Sequence, residues 1–281
     1  MPTGVGHAYL AQRMRAVRGF ARCPHGIDPA TEIPPLELLP ARRHGPAPHI
    51  YTKQQIAALM AAARTLRPAL RAATIETVIG LLACTGLRVG EVFALDRADI
   101  DATNRLLRIP DSKYGKAREV LIHDSTLAAL HAYLARRDEL RPTSHRVCVF
   151  VSSRGARLNH KAMQPAFDRL PRAAHVTGAS PGRWPRAHDL RHTFAVNTLL
   201  GWYRAGEDVA AKLPLLSTYL GHVDPAATYW YLSAVPELLG LAAERLERKA
   251  DGRDTRDLTF VLCAGERARR GRAARIRRAA P

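Results

Sequence analysis

The chain has 281 residues, of which 47% are hydrophobic, and a formal net charge of +18 from 43 Lys and Arg against 25 Asp and Glu. This hydrophobic content supplies a sizeable core and excludes a chain that is disordered throughout. The positive charge favours a polyanionic partner, nucleic acid first, although the arginine-rich composition of a GC-rich genome produces part of the same bias.

The cysteines and the hydropathy pattern exclude several other classes of protein. The four cysteines lie far apart without a CxxC pair, which disfavours a structural zinc site and a disulfide framework. The sequence has no secretory leader pattern and no apolar run long enough to span a bilayer. We therefore expect no membrane partner and a cytoplasmic, nucleoid-associated location.

Residues 1–50 predict little independent structure. One short amphipathic helix is predicted over residues 9–20, with Leu10, Met14 and Val17 on one face. Seven prolines follow between residues 24 and 48, which is typical of a linker that crosses a surface.

Residues 51–250 predict one compact domain, mainly α with a small antiparallel β-sheet. Thr52 and Gln55 fit a capping box for its first helix. Strands are predicted over residues 106–110 and 119–123, which form a hairpin with its tip at 111–116, and a further short strand over 147–151. Helices are predicted over residues 72–85, 89–95, 125–140, 159–170, 188–200, 208–220, 225–232 and 236–249. The arginine-rich segment 251–281 predicts a basic, flexible tail.

Two helical segments carry side chains suited to binding an anion. Arg88 precedes Glu91 by three residues, which fits a helix-start ion pair and also fits a glutamate that orients Arg88 toward a ligand. His188 and Arg191 share a helix face, so that one anion can contact both. His188 and His192 have the spacing of a zinc pair, but the intervening glutamate and a third ligand are missing, so His192 is interpreted as a core histidine. No metal and no other cofactor is predicted.

Three further segments have ordinary explanations when each is taken alone. Lys113 and Lys116 lie on the hairpin tip, where lysines are usually solvated. His222 follows Gly221 at a predicted helix end, where a glycine cap and a cation are common. Tyr231 belongs to an aromatic cluster that is typical of core packing.

Taken together, these segments resemble the tyrosine recombinases of the phage-integrase type. That family has an arginine in a Thr-Gly-Leu-Arg segment, a lysine on a β-hairpin, a His-x-x-Arg pair, a histidine in a Leu-Gly-His segment, and a tyrosine nine residues after that histidine. The resemblance covers about residues 52–246, and the spacing selects Tyr231 over Tyr229. It assigns the catalytic residues Arg88, Lys113, His188, Arg191, His222 and Tyr231.

The resemblance implies a site-specific recombinase that cleaves and rejoins DNA without metal or ATP. Arg88, Arg191 and His222 would stabilise the pentacoordinate transition state, since fixed donors and cations suit its charge. Tyr231 would attack phosphorus to form a phosphotyrosine ester. His188 would act as base or proton carrier, and Lys113 would protonate the departing 5′ oxygen.

The same resemblance implies double-stranded DNA as partner, a homotetramer on paired sites and an origin in a mobile element. Lys116 and Arg118, on the hairpin, are predicted to contact DNA. Residues 1–50 resemble only the last helix and the linker of the family's N-terminal core-binding domain. We therefore expect weak, salt-sensitive and poorly selective DNA binding.

Two alternatives remain open from the residues alone. A type IB topoisomerase shares this chemistry, and a DNA-binding remnant that no longer recombines would share the basic surface. The hairpin and the Leu-Gly-His segment favour the recombinase, and the filled catalytic positions argue against the remnant. Without DNA, we expect Tyr231 to lie somewhat outside the pocket of the other catalytic residues.

Overall fold

The computed structural model describes residues 7–39, 48–112, 116–142, 147–178, 184–222, 228, 231 and 236–248. The chain divides into two compact units, Met1–Ala47 and Pro48–Pro281. No helix within the described ranges is long and apolar enough to cross a bilayer.

The first unit contains helix α1 (His7–His25) and a 3-10 turn at Leu36–Leu38. Arg18 joins the helix to the returning segment, because its guanidinium donates to the carbonyls of Pro34 and Pro35 at 2.9 and 2.5 Å. Leu10 and Val17, from the predicted apolar face, are exposed. The buried residues of α1 are instead Ala11, Arg18 and Ala21, on the face that contains the arginine bound to the proline carbonyls.

The second unit combines helices with one small sheet. Strands β1 (Ile100–Asp101), β2 (Leu106–Ser112) and β3 (Lys116–Leu121) pair antiparallel in that order. The mainly α fold with a small antiparallel sheet, predicted from the sequence, is therefore confirmed. Its helices are α2 (Lys53–Arg64), α3 (Ala69–Thr85), α4 (Val89–Ala94), α5 (Asp124–Leu140), α6 (His160–Phe167), α7 (Leu170–Ala173), α8 (Ala187–Arg204), α9 (Val209–Leu220) and α10 (Pro236–Arg248).

Polar side chains fix the beginnings of several helices. The Thr52 hydroxyl accepts from the Gln55 backbone N–H at 3.1 Å and the Gln55 side chain accepts from the Thr52 N–H at 3.0 Å, which is the predicted capping box. Asn159 and Asp208 cap α6 and α9 in the same way, each with a side chain that accepts from a backbone N–H of the first turn. Each such cap stabilises the fold by about 1 kcal/mol.

Helix α3 runs through the centre of this unit and packs against α2, α5 and α8. Its apolar residues Val78, Ile79 and Leu82 are fully buried in the main core. A second apolar cluster joins α8 and α9 and includes Tyr231 and Leu238. The packing of α3 on α8 brings the end of one helix close to the beginning of the other.

Two predictions of strand structure need correction. The two-residue strand β1 has no counterpart in the sequence prediction, and residues 147–151 are not a strand but form isolated bridges, Asp96 to Cys148 and Val151 to Arg157. The buried Arg137 donates to the carbonyls of Cys148 and Val149, so these carbonyls bind a side chain instead of a neighbouring strand. The hairpin tip 113–115, most of the predicted helix 225–232, and the tail 251–281 lie outside the described residues.

Candidate active site

The turn between α3 and α4 places Arg88 at the edge of the core. Gly86 ends α3 in the left-handed conformation, with φ of +62°, and Arg88 is the N-cap residue of α4. A Cβ atom on Gly86 would lie 2.4 Å from Cδ1 of Phe194 on α8. Only glycine meets both requirements, the positive φ and the close approach of α8.

Three arginines converge on the carboxyl end of α9. The backbone carbonyls of residues 219, 220 and 221 accept hydrogen bonds from Arg118, Arg191 and Arg88, in that order, at 2.9, 2.6 and 2.7 Å. The last carbonyls of a helix lack partners within the helix and carry a partial negative charge. The end of α9 thus holds together cations from β3, α8 and the start of α4.

Glu91 forms ion pairs with two of these arginines, Arg88 and Arg118. One carboxylate oxygen accepts from Arg88 Nη1 at 2.8 Å and from Arg118 Nη1 at 3.0 Å; the other accepts from the Arg88 backbone N–H at 2.8 Å and from Arg118 Nη2 at 2.7 Å. Burial by itself would raise the pKa of Glu91, but the hydrogen bonds from Arg118 and Arg88 outweigh it and lower the pKa to about 2. Glu91 is therefore ionised at neutral pH, and it forms with Arg88 the ion pair that fits their spacing in the sequence.

Arg191 is the buried cation of the site. It is only 2% exposed, and its Nη1 donates to the carbonyl of Gly86 at 2.8 Å. Burial and the charge of Arg88 lower the pKa of Arg191 to about 10, so the guanidinium remains charged at neutral pH. The Arg88 side chain is 34% exposed, so an anion in solvent can reach it.

Three histidines surround these arginines. The rings of His188 and His192 meet edge to face, with centroids 4.9 Å apart, and His222 Nδ1 lies 2.7 Å from the hydroxyl of Thr228. Burial and neighbouring positive charge lower the pKa of His192 and His222 to about 4 and also lower the pKa of His188. All three rings are therefore neutral at neutral pH, and each has one nitrogen free of a proton.

Tyr231 lies within this group of residues. Its ring is 2% exposed, and its hydroxyl is 2.9 Å from His192 Nδ1. Burial raises the pKa of the phenol, although the positive charges of Arg191 and Arg88 act in the opposite direction. The expectation that Tyr231 lies outside the pocket is therefore wrong, because the second apolar cluster encloses its ring and His192 and Arg191 surround its hydroxyl.

His192 is the site residue that the sequence interpretation misses. The apolar helix pattern around it favours a core histidine. Its position four residues after His188, on the same helix face, is the available signal. In the sequence, the spacing of His188 and His192 indicates only a pair of zinc ligands. In the structure, His192 lies against the phenol of Tyr231.

The predicted DNA-contacting residues have different outcomes. Lys113 lies outside the described residues, and Lys116 is described only as the first residue of β3. Arg118 does not face solvent: its side chain is 10% exposed and its guanidinium contacts Glu91 and the end of α9. Its predicted contact with DNA stays a prediction, and in this structure the guanidinium is engaged by these internal contacts.

A cleft of about 560 Å³ opens beside Arg88 and His188. Its other walls combine polar side chains, Arg186, His160 and Gln164, with apolar ones such as Val89, Pro110 and Met163. Within the described parts of the chain, no cluster of three or more His, Cys, Asp or Glu side chains has metal-site geometry.

Comparison with protein families gives one decisive match: the model of the phage integrase family matches residues 50–237. The chain belongs to the phage integrase family. An integrase/recombinase of Sinorhizobium fredii, y4rB, is 42% identical over 90% of this chain and 82% of its own length. The tyrosine recombinase XerD of Caulobacter vibrioides is 30% identical over 84% of this chain and 74% of its own length. This member of the phage integrase family is thus a tyrosine recombinase, a DNA strand-transferring enzyme.

Solved structures agree with this family membership. The crystal structure of XerA recombinase matches with a TM-score of 0.54 and 26% identity, over 80% of this chain and 72% of that chain. The Tn1549 transposon integrase in complex with transposon right end DNA matches with a TM-score of 0.62 over 87% of this chain and 81% of that chain. At 16% identity, the second match concerns the fold alone.

Proposed function

We propose that this phage integrase family member performs site-specific recombination through a 3′-phosphotyrosyl intermediate on Tyr231. The observation that carries the proposal is the position of the Tyr231 hydroxyl, which lies against His192 while its phenol is under the charges of Arg191 and Arg88. A nucleophile and two fixed cations in one pocket are what in-line attack on a phosphodiester requires.

Arg88, Arg191 and His222 are the groups that stabilise the transition state in this proposal. Nonbridging oxygens gain charge as phosphorus becomes pentacoordinate, and the two guanidinium groups are already held by carbonyls and Glu91. Because these donors are oriented before DNA arrives, they need no reorganisation during the reaction. Loss of one such donor typically lowers the rate by about 10²-fold to 10³-fold.

Two histidines assist the loss of the Tyr231 proton. In the tautomer that carries its proton on Nε2, His192 accepts a hydrogen bond from the phenol through Nδ1. His188 lies against His192 and keeps part of its ring accessible to solvent although neighbouring groups desolvate it, so it can pass a proton between the pocket and solvent. The arginine charges favour the phenolate, which then forms the bond to phosphorus.

The leaving 5′ oxygen takes its proton from Lys113 in this proposal. In the sequence Lys113 follows Ser112, the last residue of β2, which pairs with Lys116 of β3. Arg118, which pairs with Ile109 near the tip end of β3, holds the hairpin beside the arginine cluster. The 5′-hydroxyl of a second strand then attacks the phosphotyrosine, which reforms a phosphodiester and releases Tyr231.

The wider setting is proposed from the resemblance to the family. We propose double-stranded DNA as substrate, with Lys116 contributing a phosphate contact, and a tetramer on paired sites. A mobile element is the proposed source, and the nucleoid in the cytoplasm is the proposed location. The segments 1–50 and 251–281 are proposed as the last helix of a core-binding domain with its linker and as a basic tail.

Covalent attachment to DNA tests the proposal. The protein is incubated with nicked suicide substrates made from the DNA that flanks its gene, and adducts are resolved on denaturing gels. We expect the wild type and Tyr229→Phe to form the adduct, and Tyr231→Phe to bind DNA without forming it, because only that change removes the nucleophilic oxygen. An adduct that persists in Tyr231→Phe and disappears in Tyr229→Phe would transfer the nucleophile to Tyr229.

A further inference from the structure

We propose that Arg118 is a positioning residue for this reaction: it sets the place of Arg88 through Glu91 and fixes the end of α9 that carries His222. This inference rests on the proposed function, because it concerns the same pocket. It gives Arg118 a role in the rate of strand cleavage instead of a role in DNA affinity.

Each nitrogen of the Arg118 guanidinium donates a hydrogen bond within the protein. Nη1 and Nη2 bind the two oxygens of Glu91 at 3.0 and 2.7 Å, and Nε binds the Tyr219 carbonyl at 2.9 Å. The side chain is 10% exposed, which leaves little surface for a phosphate. One guanidinium thus spans a carboxylate from α4 and a carbonyl from α9.

The guanidinium of Arg118 packs closely against Gly221. Gly221 has φ of +67°, and a Cβ atom there would lie 2.9 Å from Arg118 Nη1. The guanidinium therefore lies directly against the backbone of the residue whose carbonyl binds Arg88. His222 is the next residue along the chain.

Lysine cannot replace this arrangement. A guanidinium offers five N–H donors in a planar fork that matches a carboxylate, whereas an ammonium is a compact point charge on a flexible chain. Lysine at position 118 could keep the charge near Glu91 while losing the simultaneous contact with α9. Arg118→Lys therefore separates the charge of this residue from its geometry.

Removal of Arg118 changes the chemistry of Glu91. The charged groups that face Glu91 are Arg88 beside it on α4, Arg118 on β3 and Arg191 on α8. All three are cations over the useful pH range, so Glu91 is the group among them that titrates. Without Arg118, burial raises the pKa of Glu91, and a protonated Glu91 no longer holds Arg88 by charge.

Single-turnover cleavage of a suicide substrate, measured across pH at saturating DNA, tests this inference. For Arg118→Met we expect DNA affinity within about twofold of wild type and a rate lower by about 10-fold to 100-fold, as for loss of a charge-assisted hydrogen-bond network. The ratio of the wild-type rate to the variant rate should increase as the pH falls. Arg118→Lys should recover part of the rate at neutral pH.

Glu91→Gln supplies the matched control. In that background position 91 cannot ionise, so the effect of Arg118→Met should be smaller and independent of pH, which a double-mutant cycle measures. The proposal is overturned if Arg118→Met weakens DNA affinity while the rate at saturation stays at the wild-type value. It is also overturned if the pH dependence of the effect persists in the Glu91→Gln background.

A second measurement keeps the inference testable if cleavage fails for another reason. In a crystal structure of Arg118→Met we expect the Arg88 guanidinium and the α9 carboxyl end to move from their wild-type positions. Superposition of both on the wild type would overturn the inference, whatever the activity. Failure of the wild-type protein to form any adduct would instead count against the proposed function.

Discussion

The histidines beside Arg88 and Arg191 make the stability of the fold depend on pH in a defined window. The pKa values of His192 and His222 are lowered to about 4, because burial and the charges around them disfavour the imidazolium. In an unfolded chain, histidine titrates at a pKa of about 6.5. As the pH falls below that value, the unfolded state binds protons that the folded state does not bind. The free energy of unfolding therefore decreases until the pH reaches the folded pKa.

The size of this decrease follows from the two pKa values. Between pH 7 and about 5.5, His192 lowers the free energy of unfolding by about 1.2 kcal/mol, and His222, which is more accessible to solvent, lowers it by less because solvent screens its charge. His188 adds to this loss, because its pKa is also lowered. The lowered pKa of Glu91 stabilises the fold fully above the ordinary pKa of 4.5, and this stabilisation is lost only as the pH falls below that value. Glu91 therefore has little effect on stability between pH 7 and about 5.5.

Urea denaturation followed by circular dichroism at the two pH values measures the effect. In His192→Gln the loss between the two pH values should shrink by about 1.2 kcal/mol, since glutamine has no charge to acquire. His131, an exposed histidine on α5, gives the control: His131→Gln should show the wild-type dependence. An equal pH dependence in wild type and His192→Gln would refute the assignment of His192 as a histidine held neutral.

Three further predictions concern the turn, the DNA and the charge of the pocket. Gly86→Ala should lower the free energy of unfolding by about 2 to 5 kcal/mol, because alanine is strained in the left-handed conformation and its Cβ clashes with Phe194. Gly201 has open space around it, so Gly201→Ala should raise the free energy of unfolding by about 0.4 to 1 kcal/mol in the same denaturation assay. The logarithm of the DNA-binding constant should fall with the logarithm of salt concentration at about −0.9 per phosphate neutralised, and a binding constant that does not change with salt would argue against phosphate-dominated contact. Cleavage of suicide substrates should be insensitive to chelator, because Arg88, Arg191 and the histidines supply the positive charge and donors; inhibition that added metal reverses would contradict this.

Much of the fold could be predicted because its signals are local. Thr52 with Gln55 predicts a capping box from spacing alone, and Gly86 and Gly221 mark helix ends where a left-handed residue is needed. The alternation of β2 and β3 around a polar tip predicts the hairpin. These features depend on neighbours within a few residues, so the order of residues carries them.

The site could be predicted only in part, because its remaining features depend on tertiary contacts. Arg118 looks like any exposed cation of a hairpin, and only the packing of β3 against α9 turns its guanidinium toward Glu91. His192 looks like a core residue until the hydroxyl of Tyr231, far away in sequence, is placed against its ring. Residues 147–151 have a strand's composition, but the buried Arg137 takes carbonyls that a strand would need.

The three arginines bind backbone carbonyls at the end of α9, and every amino acid has the same backbone carbonyl group. The arginines therefore impose no side-chain requirement at positions 219 and 220, where packing alone restricts the choice: Tyr219 stacks on Phe194 and Leu220 is buried in the second cluster. Of the three, only Gly221 is restricted by its own conformation. Side chains at positions 219 and 220 can thus be exchanged for others of similar volume while these carbonyls keep binding the arginines. Because the acceptors are backbone atoms, comparing the chemically active side chains of two sequences does not reveal this part of the site.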